Sequence, residues 1–459
     1  LIDQLYVGSR TAVYRALQLE TQQPVVIKLL QQAYPSFSDL VRFRNQYVVT
    51  QNLTLPGVVR TLQLASWQNS QALVMEDFGG ISLQQYVKQQ AGPGRALPLA
   101  DVLAIALQMA GILHGLYQQR IIHKDIKPAN ILIHPKSKQI KLIDFSIASC
   151  LPKENQTLQN LSGLEGSLLY LAPEQTGRMN RGIDYRADFY GLGVSLYELL
   201  TGELPFQADE PLALVHCHIA QQPPAPQAIN PAIPPVVSDI VLKLMAKNAE
   251  DRYQSALGLK ADLAKCLHQW QSTGEIVPFE LCAEDASDYF LIPEKLYGRE
   301  TEIKTLLASF ERAAKGCCEL TLVAGFSGIG KTALINEVHK PITRQRGYFI
   351  KGKFDQFNRN IPLLAFIQAL RELIGQLLSE SDQAIAQWRD VILAAVGENG
   401  QILIEVIPEL EQIIGSQPAA PELSGTAAEN RFKRLFQNFI GVFTQLEHPL
   451  TIFLDDLQW

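Results

Sequence analysis

The sequence predicts an α+β unit of two unequal lobes, followed by the first part of a separate α/β domain. Residues 1 to about 90 show short alternating strand patterns around one helix, and from residue 99 onward the apolar spacing becomes mostly helical. After residue 295, a helical pattern leads into an apolar strand, a glycine-rich turn and another helix. The length of 459 residues is sufficient for two or three domains.

The small lobe is predicted from the period of its apolar residues. The segments LIDQLYVGS, AVYRALQLE and PVVIKLL alternate apolar and polar residues, which is typical of strands with one buried face. Residues 39–53 change to helical spacing, and QALVMED returns to a strand pattern. We therefore expect a sheet with a single helix packed against it.

The large lobe is predicted from helical spacing over residues 99–119 and in most of the sequence beyond residue 163, with a proline-rich stretch at 223–235. Residues 266–295 lose this periodicity and carry Gly, Pro and mixed charge, which is typical of a linker. The expected organisation is a first domain at 1–265, a linker at 266–295 and a second domain at 296–459.

Composition excludes several classes of protein. A net charge of −6 argues against binding to nucleic acid or to an anionic membrane. No stretch of 18 apolar residues is evident, since Glu198 interrupts the run from Phe189 to Leu200. The six cysteines form no CxxC pair, so neither a zinc site nor a disulfide framework is predicted. A reducing cytoplasm is the expected location.

Three short motifs in the first domain carry chemistry. Residues 123–130, HKDIKPAN, place an acid, a lysine two positions on and an amide five positions on. The sequence DFS follows at 144–146, after an apolar strand pattern, and APE stands at 172–174. Moving a phosphoryl group from a nucleotide to a hydroxyl needs a carboxylate for the hydroxyl proton, ligands for metal-bound phosphates and a cation. These residue types in this order match that need.

The order and spacing of these motifs resemble the protein kinase family, whose motifs read HxDxKxxN, DFG and APE. The resemblance covers residues 1–265 and implies the bilobal protein kinase fold, with ATP and Mg²⁺ as cofactors. It implies that Asp125 is the catalytic base and that Lys127 neutralises the γ-phosphate, a lysine typical of serine/threonine kinases. It also implies that Asn130 and Asp144 are the magnesium ligands.

The resemblance also implies an ATP pocket between the lobes. Lys28, in the strand VVIK, matches the lysine that holds the α- and β-phosphates. The remaining expected contacts are Gly8 of the glycine-rich loop, Val13, Val26 and Leu132 around the purine, Met75 as gatekeeper, and Glu76 and Phe78 in the hinge. The roles expected for His123, Glu174, Asp188 and Arg252 are structural.

Departures from the family pattern leave two hypotheses open. Only the middle glycine, Gly8, of the glycine-rich loop is present, and Gln46 stands where a glutamate normally pairs with the strand lysine. Ser146 replaces the DFG glycine, and Lys124 replaces the arginine that often binds an activation-loop phosphate. The first hypothesis is an ATP-dependent serine/threonine protein kinase. The alternative is a pseudokinase that serves as a regulatory scaffold.

A second nucleotide motif begins the second domain. Residues 325–332, GFSGIGKT, fit GxxxxGKT between a strand pattern and a helix pattern. Backbone amides of such a loop cradle phosphates, while the lysine reaches them and the threonine binds magnesium. An apolar strand at 451–456 ends in two acids, one for magnesium and one for orienting water. The expected second-site residues are Gly325, Gly328, Gly330, Lys331, Thr332, Asp455 and Asp456.

The segments LYGRE at 296–300, GKFDQF at 352–357 and FLDDLQW at the end of the sequence resemble AAA-like ATPases of the STAND signalling class. The whole sequence is most similar to multidomain bacterial proteins, frequent in cyanobacteria, that fuse such an ATPase to a serine/threonine kinase. GAF and sensor histidine kinase modules typically follow. The resemblance implies an ATP-driven switch, truncated here after its Walker B strand. The implied partners are a protein substrate with a Ser or Thr hydroxyl and downstream signalling modules.

Overall fold

The structure is a computed structural model. It describes the chain apart from residues 9, 20, 33–34, 68–69, 93, 151–167, 178–180, 209, 287–297, 327, 336–346, 355–362, 379, 381, 422–424, 446–447 and 459. The hydroxyls of Thr157 and Ser162 follow the DFS motif in the sequence and are candidate phosphorylation sites, and both residues lie outside the described ones.

The small lobe is a five-stranded antiparallel sheet with one helix, as predicted. Its strand order is β1-β2-β3-β5-β4. The elements are β1 (Asp3–Val7), β2 (Thr11–Leu17), β3 (Pro24–Leu30), α1 (Phe37–Thr50), β4 (Thr61–Trp67) and β5 (Ser70–Glu76). Ser36 caps α1 by accepting a hydrogen bond from the backbone amide of Asp39. The helix packs on the sheet through Phe43, which shares a buried cluster with Leu73 and Met75.

The large lobe is mainly helical. Its elements are β6 (Ile81–Ser82), α2 (Leu83–Gln90), α3 (Leu99–Gln118), β7 (Ile131–Ile133), β8 (Ile140–Leu142), α4 (Arg186–Thr201), α5 (Pro211–Ala220), α6 (Pro226–Ile229), α7 (Pro235–Leu244) and α8 (Ala256–Thr273). In the described part of the chain, α3 is the one helix long and apolar enough to cross a membrane. Nine of its side chains are instead buried in the core of this lobe.

The structure differs from the predicted linker at 266–295. Helix α8 continues to Thr273, because Leu267 and Trp270 extend its apolar face onto the core. The chain then returns along the lobe, where Phe279 and Leu281 pack against the same core. The Asp285 carboxylate accepts hydrogen bonds at the start of α8. Residues 266–285 are therefore attached to the first domain.

The second domain pairs two parallel strands with a set of helices. Its elements are α9 (Glu300–Ala313), β9 (Tyr348–Lys353), α10 (Leu364–Leu377), α11 (Asp382–Val396), α12 (Gly400–Val406), α13 (Glu411–Ile414), α14 (Thr426–Val442) and β10 (Leu450–Asp455). Strands β9 and β10 are in register from Tyr348 opposite Leu450 to Lys353 opposite Asp455. Helices α10, α11 and α14 contribute most of the buried apolar cluster beside them.

The apolar strand predicted directly before the glycine-rich turn, at residues 319–325, is not formed. All seven residues are described, and none pairs with a strand. Leu320 is 87% exposed and Leu322 is 73% exposed. An apolar run becomes a strand only where a neighbouring edge takes its hydrogen bonds, which the sequence pattern alone does not specify. The following residues 331–335 are helical, as predicted.

Candidate functional site

The loop formed by residues 123–130 joins α3 to β7 and is anchored by a buried carboxylate. Asp188, in the first turn of α4, accepts hydrogen bonds from the backbone amides of His123 at 2.8 Å and Lys124 at 2.7 Å. Burial raises the pKa of Asp188, although His123 and the two amides act in the opposite direction. The anchor is structural, as predicted, because its oxygens are directed at the loop backbone.

A glycine on α4 sets how closely this loop can lie. A Cβ at Gly191 would be 2.9 Å from the backbone oxygen of Ile126, which a flexible side chain could not relieve. Ile126 stands between Asp125 and Lys127 in the chain. The absence of a side chain at 191 therefore allows α4 to lie close to the loop between its two polar residues.

Asp125, Lys127 and Asn130 meet at one carboxylate oxygen. Lys127 Nζ lies 2.8 Å from Asp125 Oδ2, and Asn130 Nδ2 donates to the same oxygen at 2.8 Å. Asn130 Nδ2 also donates to the backbone oxygen of Asp125 at 2.9 Å. The side chain of Asp125 is 12% exposed, so it is held in place yet open at one side. Such a carboxylate can accept a proton from a hydroxyl group bound beside it.

The second group of polar residues surrounds Lys28 on β3. Its Nζ lies 2.9 Å from Gln46 Oε1 on α1 and 3.1 Å from Asp144 Oδ1. Burial alone would raise the pKa of Asp144, but the Lys28 charge and hydrogen bonds from Lys28 and Ser146 outweigh it and lower this pKa to about 2. Asp144 is therefore ionised at neutral pH.

Asn130 and Asp144 together fit a magnesium ion. Asn130 uses its amide nitrogen for both hydrogen bonds to Asp125, which leaves the amide oxygen for a cation. The backbone amide of Ile143 donates to the backbone oxygen of Asn130 at 2.9 Å. This bond places Asp144, the next residue in the chain, directly beside the loop of residues 123–130. An ionised carboxylate and an amide oxygen are ligands that Mg²⁺ prefers.

Gln46 occupies the position predicted for it. Its side chain is 3% exposed, with Oε1 facing Lys28 and Nε2 lying 3.8 Å from the Met75 sulfur. The predicted helix register is thereby confirmed. The amide gives Lys28 a neutral acceptor where the family pattern supplies a charged one.

The predicted purine contacts are only partly brought together. Val26, Met75, Phe78 and Leu132 share one apolar cluster between the lobes. Val13 lies outside that cluster, on β2 opposite Lys28. A cluster of this kind can hold a flat apolar ring.

The remaining two ATP-pocket predictions concern Gly8 and Glu76. At Gly8 the backbone amide donates to the Thr11 carbonyl at 2.9 Å, and the ring of Tyr6 occupies the space that a Cβ would need. The Glu76 side chain accepts from the Arg60 amide at 3.0 Å and pairs with Lys141. The Glu76 backbone amide also donates to the Arg60 carbonyl at 3.0 Å, so the group that Glu76 can offer a ligand is its backbone carbonyl.

Glu174 and Arg252 form a buried pair, as their expected structural role requires. Arg252 donates from Nη1 to Oε1 of Glu174 at 2.6 Å and from Nη2 to Oε2 at 2.8 Å. Arg252 also donates to the backbone oxygens of Ala246 and Arg186. Removing either partner would leave an uncompensated charge in the core.

The structure brings two residues of the predicted second nucleotide site, Thr332 and Asp455, into contact. Thr332 Oγ1 donates to Asp455 Oδ2 at 3.3 Å, across 123 residues of sequence. Gly328 and Gly330 have φ angles of 80° and 94°, a region that favours glycine. Lys331 Nζ folds onto the loop and donates to the carbonyls of Gly325 at 3.0 Å and Phe326 at 3.1 Å. Both glycines therefore occupy backbone positions at which a larger residue would be strained.

The second acid of this site has a partner that the sequence did not assign. Asp456 Oδ2 lies 3.2 Å from Lys353 Nζ, at the end of β9. Hydrogen bonds from Gln458 and Lys353 lower the pKa of Asp456. Lys353 belongs to the GKFDQF segment, and its parallel register opposite Asp455 explains the contact.

The comparisons with known proteins agree with this geometry. Residues 2–264 match the family described as protein kinase domain. The chain belongs to the protein kinase family. Residues 295–459 match the AAA ATPase domain, so a second nucleotide-binding domain follows the kinase domain. The predicted bilobal fold and the P-loop character of the second domain are confirmed.

Three relatives among the known proteins are similar to this chain over its kinase domain or more. The chain is 33% identical over 443 residues to hybrid signal transduction histidine kinase G of Dictyostelium discoideum, covering 78% of this chain and 13% of that protein. It is 32% identical over 259 residues to the probable serine/threonine-protein kinase CPE1738 of Clostridium perfringens, covering 56% and 36%. It is 33% identical over 274 residues to serine/threonine-protein kinase PknB of Mycolicibacterium smegmatis, covering 58% and 42%. The chain thus spans less than half the length of each relative.

Two contacts of the kinase domain were missed at the sequence level. Asn45 on α1 donates to carbonyls just after Asp144, and Ser146 bonds to the Asp144 carboxylate. The Ser146 contact could have been suspected, because a hydroxyl two residues from a carboxylate often bonds to it locally. The Asn45 contact carries no sequence signal, since its partners lie 100 to 103 residues away.

Proposed function

We propose that the kinase domain transfers the γ-phosphoryl group of ATP to a Ser or Thr hydroxyl of a protein substrate. The convergence of Lys28 on Asp144, and of Lys127 and Asn130 on Asp125, carries the proposal. Both constellations are connected through the backbone bond from Ile143 to Asn130. Phosphoryl transfer depends chiefly on positioning and on charge stabilisation, and these side chains supply both.

Each of these residues has a defined role in this mechanism. Lys28 holds the α- and β-phosphates, and Asp144 and Asn130 would hold Mg²⁺, which neutralises phosphate charge when bound. Asp125 accepts the proton of the attacking hydroxyl. Lys127, 2.8 Å from Asp125, is close enough to contact the transferred group as well. The apolar cluster of Val26, Met75, Phe78 and Leu132 holds the purine, together with Val13, Gly8 and the hinge backbone at Glu76.

A second candidate function is a pseudokinase that acts as a regulatory scaffold. It is favoured by the neutral contact from Gln46 to Lys28 and by the lone Gly8 under the ring of Tyr6. The ionised Asp144 and the intact Asp125 cluster favour the enzyme. The two candidate functions differ in one measurable property: a kinase transfers the γ-phosphoryl group of ATP, and a scaffold does not.

For the whole protein we propose a cytoplasmic signalling role, with the second domain as an ATP-driven switch. Lys331, Thr332 and Asp455 would hold its nucleotide and magnesium, and Asp456 would orient water. The Dictyostelium relative is named a hybrid signal transduction histidine kinase, which supports coupling to a sensor histidine kinase module. A GAF module and an origin among the multidomain proteins frequent in cyanobacteria are proposed from the sequence resemblance alone.

The test is transfer of labelled γ-phosphate by the 459-residue chain to itself and to a basic Ser/Thr substrate. Asp125→Ala is expected to lower transfer at least a hundredfold while leaving ATP affinity within about twofold, since the base acts on the hydroxyl. Lys331→Ala is the matched control, because it alters the other nucleotide site. Transfer by the Asp125→Ala variant at the wild-type rate would refute the assignment of the base. Absence of transfer by the wild-type chain would favour the scaffold.

A further inference from the structure

An asparagine on α1 contacts the segment that follows the metal-ligand aspartate. Asn45 Nδ2 lies 3.4 Å from the carbonyl oxygen of Phe145, 3.1 Å from that of Ser146 and 2.9 Å from that of Ala148. The side chain is half-buried, so water competes only in part for these bonds. One amide therefore holds three carbonyls within four residues of Asp144.

The segment needs such support, because its backbone is unusual at the critical residue. Asp144 has a φ of 65°, a region that non-glycine residues enter only at a cost in free energy. Conformations of this kind persist where surrounding contacts determine them. On the carboxylate side these contacts come from Lys28 and Ser146. On the carbonyl side they come from Asn45.

Asn45 and Gln46 are consecutive residues of one helix and serve two parts of the same site. Gln46 faces Lys28 on β3, while Asn45 faces the loop after Asp144. A shift or rotation of α1 would break both sets of contacts. Because the bond from Gln46 to Lys28 lacks a charged acceptor, it fixes the helix less strongly than a carboxylate would. A second attachment point is then needed to keep α1 next to the site.

We propose that Asn45 is a positioning residue that fastens α1 to the backbone after Asp144, and so holds the metal-ligand carboxylate beside Lys28 in the absence of a Lys–Glu pair. The proposal deepens the proposed kinase function and rests on it. The Asn45 amide is directed at backbone carbonyls and not at the residues proposed to hold nucleotide and metal. It acts through the orientation of Asp144, which predicts an effect on metal-dependent binding of ATP and little effect on metal-free binding.

The test compares Asn45→Ala and Asn45→Asp with Gln51→Ala in the 459-residue chain. Asn45→Asp keeps the side-chain size and removes the donor, and Gln51 is an exposed amide at the end of the same helix. The first measurement is hydrogen exchange at the amides of Ala148 and Ser149, which donate to the carbonyls of Phe145 and Ile122. Exchange is expected to become about tenfold faster in both Asn45 variants, reflecting the loss of one or two hydrogen bonds, and to stay unchanged in Gln51→Ala.

The second measurement is the ratio of ATP affinities with and without Mg²⁺. It should fall about tenfold in the Asn45 variants, with phosphoryl transfer falling in parallel. Unchanged exchange and an unchanged affinity ratio would overturn the proposal. So would a uniform loss of exchange protection across the domain with the ratio preserved, because that result marks a purely structural role. A wild-type chain without transfer activity, but with both non-catalytic effects present, would refute the kinase function and support the attachment.

Discussion

At the scale of single residues, Gln46 is the departure from the protein kinase pattern that has the largest consequence for the site. It is buried, and its two amide atoms are divided between Lys28 and the Met75 sulfur. The sequence was sufficient to place it, because the motif spacing fixes its register on α1. The sequence could not show the Met75 contact or the role of neighbouring Asn45, because both depend on how distant segments fold against the helix.

Changing Gln46→Glu is expected to accelerate phosphoryl transfer about fivefold. A carboxylate would convert the neutral bond to Lys28 into a charge-assisted one, a gain on the order of 1 kcal/mol. The lost contact with the Met75 sulfur is weaker than this gain. Initial rates at saturating ATP measure the effect, with Gln51→Glu on the exposed end of α1 as control. A folded Gln46→Glu variant no faster than wild type would support the scaffold function.

At the scale of secondary-structure elements, α8 and the segment after it form one unit. Asp285 Oδ1 accepts from the Ser255 amide at 2.7 Å, and Oδ2 accepts from the Gln254 amide at 2.8 Å. A Cβ at Gly258 would meet the Asp285 backbone at 2.6 Å, so the glycine permits this approach. The sequence indicated a linker here, because a segment that packs without a regular period leaves no periodic signal.

Asp285→Ala is expected to lower the free energy of unfolding of the kinase domain by about 1 to 2 kcal/mol. The change removes the carboxylate that accepts from the Gln254 and Ser255 amides and from the hydroxyl of Ser255, the N-cap of α8. At this end of the helix the dipole also favours negative charge. Denaturant unfolding of the kinase domain within the whole chain measures the loss. Glu284→Ala, one residue away and exposed, should change stability little. Equal effects of the two substitutions would exclude a stabilising role for the Asp285 contacts at the start of α8.

The contact between α4 and α5 predicts a pH dependence of stability. Burial lowers the pKa of His218 to about 3, with the nearby Lys247 charge acting in the same direction. Its Nδ1 is 2.9 Å from Tyr190 Oη. The unfolded chain, with a histidine pKa near about 6.5, therefore binds a proton that the folded chain excludes. This contribution is fully present above about pH 6.5 and is lost as the pH falls toward 3.

Replacing His218→Gln is expected to reduce the loss of stability between pH 7 and pH 5 by about 2 kcal/mol, because glutamine does not titrate. Unfolding free energies at the two pH values measure the difference. The control substitution is His268→Gln, at an exposed position of α8. The same slope in wild type and His218→Gln would show that another group is responsible.

At the scale of the whole molecule, the two predicted nucleotide sites lie in two domains, each with its own large hydrophobic core. The sequence predicted both sites, because their motifs are local and contiguous. It was wrong about the strand at 319–325, since a strand exists only with a neighbour, and the sequence of one segment does not contain its partner. The contact of Lys353 with Asp456 depends in the same way on the pairing of β9 with β10.

Titration of the 459-residue chain with a non-hydrolysable ATP analogue and Mg²⁺ is expected to give two binding events. Lys28→Met should remove or weaken one of them, and Lys331→Ala should remove the other, because each lysine is the phosphate-binding cation of its own site. Calorimetry gives the stoichiometry of each variant. A single event in the wild-type chain, abolished by either substitution, would contradict the two-site description.

The contact between Asp285 and the start of α8 also affects when the kinase domain can finish folding during synthesis. Ser255 leaves the ribosome 30 residues before the Asp285 carboxylate that accepts its amide. During that interval the new helix has its own hydrogen bonds and its Ser255 cap, but neither the Asp285 contact nor the covering side chains of Phe279 and Leu281. The chain must close a loop of this length for the last contacts to form, at a modest entropic cost. A nascent chain that stalls at residue 265 therefore carries a severed α8, and the kinase domain is finished only after residue 285 has emerged.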